Sequence, residues 1–98
     1  MRHAAKVDAN QAELVDALRR LGLHVALTHR LGAGFPDLVV TGQRLPTGDV
    51  AALLVEVKVP GGKGLNEEEK QWHAAYPEGG PLIVARELGD VLRWFGRA

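Results

Sequence analysis

The segment Leu53-Leu54-Val55-Glu56-Val57-Lys58-Val59 constrains this chain more than any other. Read as a strand, it points Leu53, Val55, Val57 and Val59 to one face and Leu54, Glu56 and Lys58 to the other. Two ionisable side chains at spacing two then share a face, about 7 Å apart along the strand. They sit inside the most apolar stretch of the chain, where unpaired charge is costly. An ion pair on a half-exposed edge strand is one account of them; a functional site is the other.

The remaining elements arrange themselves around that strand, which the pattern extends over residues 50–59. An apolar stripe of Leu14, Val15, Leu18 and Leu21 predicts a helix over 9–21, with Asp8 as its cap, Gln11 as the capping-box partner and Gly22 as terminator. Glu13 falls on the border of that stripe, where a helix meets its sheet. Alternation over 23–28 predicts a half-buried strand, and 37–41 a short apolar one. Asn66 and Glu69 form a capping box for a second helix through Trp72 to about Tyr76, with Glu67, Glu68 and Glu69 favoured by the dipole. A fourth strand over 82–85 and a short closing helix marked by Leu88, Val91, Leu92 and Phe95 complete an αβββαβα order. Short loops make the first three strands an antiparallel meander, and the helical crossover adds the fourth in parallel. The expectation is an α/β sandwich around one mixed four-stranded sheet.

Length and composition exclude several classes. Ninety-eight residues allow a single domain, here 1–98. The absence of cysteine removes disulfide scaffolds, thiolate zinc sites and thiol nucleophiles. The longest apolar run, 50–55, is far below the ~20 residues of a membrane helix. No apolar stretch follows Met1-Arg2-His3, so no secretory signal is expected, and a cytoplasmic protein is the default. Twelve basic and twelve acidic residues cancel, which counts mildly against a general duplex binder. A bound divalent cation would shift that balance.

Asp37 begins the strand neighbouring Glu56. If the two strands pair, both carboxylates converge at one end of the sheet, and their repulsion raises one pKa unless a cation intervenes. Oxygen ligands without cysteine or clustered histidine favour Mg²⁺ or Mn²⁺ over zinc. Glu13 is a third carboxylate for such a cluster, or else a solvated helix residue. Lys58 is then a cation beside the carboxylates, suited to orient water or to stabilise charge on a phosphate.

Pro36-Asp37 followed by Glu56-Val57-Lys58 resembles the PD-(D/E)XK nuclease signature. The wider pattern of NQAELVDALRRLG, GFPDLVV, LLVEVKVPGGKGLN and EEEKQWH is similar to small VRR-Nuc and Holliday-junction-resolvase-like members of that superfamily. The resemblance implies a restriction-endonuclease-like αβββαβ core and a metal-dependent DNA endonuclease, acting on branched or structured DNA. It implies Glu13, Asp37, Glu56 and the Val57 carbonyl as metal ligands, Lys58 as the motif lysine, and Gln71 as the glutamine of the following helix. Compact stand-alone members of such families are often phage-borne. Small size suggests a homodimer. The alternative is a non-catalytic nucleic-acid-binding or scaffolding module that keeps the nuclease fold.

Other signals weigh less. Gly61 to Gly64 reads GGKG, but Leu65 stands where a phosphate-binding loop needs Ser or Thr, and Gly32 to Asp37 lacks a dinucleotide fingerprint, so no nucleotide cofactor is expected. Arg20, Arg30 and Lys63 are candidate contacts to DNA phosphates, or else solvated cations. His3, His24, His29 and His73 have no metal-ligand spacing; His73 is the one nearest the motif helix. Trp72, Tyr76, Trp94 and Phe95 are candidates first for core, then for a dimer interface, and last for base stacking.

Overall fold

The computed structural model describes residues 9–97, so the expected Asp8 cap and His3 lie outside the described residues. Helix α1 (Ala9–Arg20) buries Gln11, Leu14, Val15 and Leu18. It ends where Gly22 takes a left-handed φ of 87°. There the Leu23 amide donates to the Leu18 carbonyl at 3.1 Å and the Gly22 amide to that of Arg19 at 3.0 Å. This closing pattern satisfies the last carbonyls and buries Leu23 against Leu18. Leu21, expected in the stripe, is instead 42% exposed, because the helix has already ended before it.

Strands β1 (His24–Leu27), β2 (Leu38–Thr41), β3 (Leu53–Val57) and β4 (Leu82–Ala85) form one sheet in the order β1-β2-β3-β4. The first three pair antiparallel and β4 joins β3 in parallel, as the loop lengths predict. Helix α2 (Glu67–Ala75) crosses between β3 and β4, and α3 (Leu88–Trp94) closes the chain.

Strand β3 is shorter than its apolar run. Val50 and Val59, at the ends of the expected strand, are exposed; Val50 makes only an isolated bridge to Arg44 in the 42–52 loop. Leu27 is likewise exposed at the end of edge strand β1, so that strand is buried less than alternation suggests.

One face of the sheet carries the core. Leu38, Val40, Leu53, Val55 and Val57 alternate inward and pack with Leu14 and Leu18 of α1 and Val91 of α3, together with Phe95. Helix α2 stands apart from this layer, and none of its residues is buried. Trp72 and Tyr76 therefore stack on each other, ring centroids 5.3 Å apart, rather than filling the core. Of the four expected aromatics only Phe95 is fully buried, with Trp94 packed against the cluster. No helix among the described residues is long and apolar enough to cross a membrane.

Candidate functional site

Register brings the two motif halves together. Leu38 lies opposite Val55, so one further step sets Asp37 against Glu56 where the β2–β3 ladder ends. Asp37 is fixed there by its surroundings. Its carbonyl accepts from the Thr28 amide at 2.7 Å, and the Thr28 hydroxyl donates to the Pro36 carbonyl at 2.8 Å. With the ladder finished, the carboxylate takes over as acceptor: Asp37 Oδ2 receives the Val57 amide at 2.8 Å. Both the aspartate and Val57 are held by this one bond.

Glu56 is only 2% exposed, on the sheet face opposite the core residues Val55 and Val57. Burial, then contact with the Asp37 carboxylate, then the Glu69 carboxylate push its carboxyl up from the ordinary 4.5 to about 9. At neutral pH it therefore holds a proton, and its Oε1 is buried without a donor. Two carboxyl groups flank one cation. Lys58 Nζ lies 2.7 Å from Glu69 Oε1 and 3.8 Å from Glu56 Oε2. Burial raises the Glu69 carboxyl, but hydrogen bonds from Lys58 and the Asn66 amide outweigh it and hold Glu69 below the ordinary range. The Lys58 amide and carbonyl are both tied down, the first to Ala85 at 2.9 Å and the second by Asn10 Nδ2 at 3.1 Å.

Glu69 is the site residue that sequence reasoning missed, and helix geometry explains why Gln71 does not take its place. Two residues on, Gln71 is turned about 200° around the helix and is exposed. Glu69, at the third helical position, faces back toward the strand, as its capping-box role requires. That role was legible in the sequence; its second bond to Lys58 was not. His73, one turn further, shares the Glu69 face. Its ring is held below the ordinary histidine range mainly by burial, and its Nε2 has no partner.

The other expected residues are placed differently. Glu13 is exposed on α1, which packs on the opposite face of the sheet from Glu56. It lines a cleft of about 260 Å³ with Asn10, Pro60 and Arg86. Among the described residues, no group of three or more histidine, aspartate or glutamate side chains is arranged to hold a metal. Arg20 pairs with Asp16 at 2.7 Å. It precedes the His24 end of β1, which pairs with Thr41, and so lies at the far end of the sheet from Asp37. Arg30 and Lys63 are exposed, in the loops leading to Asp37 and away from Lys58. The Lys63 carbonyl and that of Val59 both accept from the Arg86 guanidinium, which pins the glycine loop to the end of β4.

No model of a known protein family, no curated protein and no solved structure matches this chain.

Proposed function

We propose that this chain is a divalent-metal-dependent DNA endonuclease that hydrolyses phosphodiester bonds, with branched or structured DNA as its substrate. The observation that carries the reading is Glu56: a carboxyl buried to 2% exposure, facing Asp37, with one oxygen lacking a donor. A fold does not keep two facing carboxylates in an apolar strand end without a use for them, because their ionised forms repel at low dielectric. A hard cation fits this donor set, since Mg²⁺ and Mn²⁺ take oxygen ligands and bind through one or two carboxylates while retaining water.

On this reading Asp37 and Glu56, together with the Val57 carbonyl, would hold the ion. The ion, when bound, supplies neutralisation of phosphate charge and makes water more acidic. The protein's own groups do the rest. The Val57 amide keeps Asp37 oriented toward Glu56. Lys58 presents an ammonium next to the carboxylates, where it stabilises the negative charge that develops on the phosphate oxygens. Arg30 and Lys63, flanking the site in sequence, are available to the DNA backbone.

The test is a panel of nicked, flapped, duplex and four-way-junction DNA incubated with Mg²⁺ or Mn²⁺. Metal-dependent cleavage that disappears with EDTA and in Glu56→Ala, and that falls to a slow residual rate in Lys58→Ala, is the expected result. Cleavage that survives chelation, or that persists in Glu56→Ala, overturns the reading.

A further inference from the structure

We infer that Glu69 is a positioning residue: one of its oxygens ties the Lys58 ammonium to the first turn of α2, so the lysine is set against Glu56 only while that turn is formed. The inference rests on the nuclease reading and adds a residue to it.

The geometry is specific to a single atom. Glu69 Oε1 accepts from Lys58 Nζ at 2.7 Å and from the Asn66 amide at 2.9 Å, while Asn66 Oδ1 accepts the Glu69 amide at 2.8 Å. The oxygen that closes the capping box is therefore the same one that holds the lysine. The Lys58 and Glu69 side chains are only 18% and 16% exposed, so this is not a solvated surface pair of the kind that contributes little. Lys58 also lies closer to Glu69 than to Glu56, by 2.7 against 3.8 Å. Its position is set from the helix rather than from its own strand.

Helix α2 is suited to this task because little else holds it. It buries no residue. It meets the loop leading to Asp37 through Phe35 and Trp72, ring centroids 5.2 Å apart. Nearby, the Glu68 carbonyl lies so close over Gly34 that an added Cβ would sit 2.5 Å from it. The first turn of α2 thus touches the approach to Asp37 on one side and Lys58 on the other. Glu67 offers a contrast within the same turn: it is 80% exposed and pairs only with Lys70, at 3.8 Å.

Glu69→Gln keeps an acceptor for the Asn66 amide and removes the charge that holds Lys58. The expected result is a fall of about tenfold in the single-turnover cleavage rate, with DNA affinity unchanged. In a Lys58→Ala background the same change should alter the rate by less than about twofold, since residues acting through one another are not additive. Glu67→Gln, which removes an equal charge from the same turn, should leave the rate unchanged. A wild-type rate in Glu69→Gln, or a full further loss in the Lys58→Ala background, overturns the positioning role and leaves the nuclease reading standing. Urea unfolding of the same four-protein cycle reads the tether without substrate, and no coupling between positions 58 and 69 also overturns it. A wild-type protein that cuts no DNA with either metal overturns the nuclease reading, and with it any role of the tether in cleavage.

Discussion

Replacing Glu56 by glutamine should stabilise the metal-free protein, and by an amount that grows with pH. The folded carboxyl is pushed up to about 9 by burial and by Asp37, against 4.5 when unfolded. Between those values the folded state binds the extra proton, so stability present below pH 4.5 is lost as pH rises toward 9. Each pH step inside that window costs about 1.4 kcal/mol. From 4.5 to neutrality the loss is therefore up to about 3 kcal/mol, and at pH 5 it is below about 1 kcal/mol. Glutamine does not titrate, and its amide has the size of the protonated carboxyl and can donate to Asp37 or Glu69. Carboxylates shifted in the other direction, such as Asp90 with its bonds from the Arg86 and Glu87 amides, act equally in both proteins and cancel. Urea unfolding of the two proteins at pH 5, 6, 7 and 8 with EDTA present measures the difference directly. For a chain of this size 3 kcal/mol corresponds to roughly 10–20 °C in Tm. Equal stabilities at pH 8, or a difference that does not change with pH, would refute the buried protonated glutamate.

Further outcomes follow from the same geometry. On the nuclease reading, millimolar Mn²⁺ raises the Tm of the wild type and gives a calorimetric binding signal, because a ligand that binds only the folded state stabilises it; both effects should vanish in Asp37→Asn, and a wild type that binds no metal favours the non-catalytic module. Gly34→Ala places a Cβ 2.5 Å from the Glu68 carbonyl at a φ of +81°, so it should displace the first turn of α2 and lower cleavage more than it lowers Tm, as kinetics and thermal melts together will show. Leu38→Ala removes a fully buried core side chain and should cost about 2–5 kcal/mol in urea unfolding.

Most of the fold was legible because it rests on local rules. The alternation in β3, the terminator at Gly22, the capping box at Asn66 and the loop lengths each fix a piece of the αβββαβα order, and all four agree with the sheet that forms. Strand ends were less legible. Apolar content continues through Val50 and Val59, but hydrogen-bonded partners do not, and the ladder stops where β2 and β4 run out of residues. The convergence of Asp37 and Glu56 followed on the condition that their two strands pair, which β2 and β3 do. What the sequence did not expose is the third dimension of α2. A row of three glutamates satisfies the helix dipole whichever of them turns inward. The choice of Glu69 depends on Lys58 reaching across from a different element, a contact with no local signature. Glu13 keeps its expected place on the border of the α1 stripe, and α1 packs on the sheet face opposite Glu56.

Glu56 also bears on how stable such a chain can be. Small domains hold only about 5–15 kcal/mol of folding free energy, and 98 residues bury a smaller fraction of their surface than larger proteins do. A buried glutamate that costs up to about 3 kcal/mol at neutral pH is a large share of that margin. Lys58 offsets little of it, because its closer bond goes to Glu69. A leucine or valine at position 56 would continue the apolar run and remove the cost. The strained position is therefore best understood as belonging to a protein whose working form differs in charge from its free form. On the nuclease reading that difference would be a divalent cation taking the place of the Glu56 proton, with Asp37 and Glu56 as the residues that would hold it. The contribution of Glu56 to stability should then fall with rising pH in EDTA and level off in Mn²⁺ once the ion has displaced the proton, so that the stabilisation conferred by Mn²⁺ grows with pH.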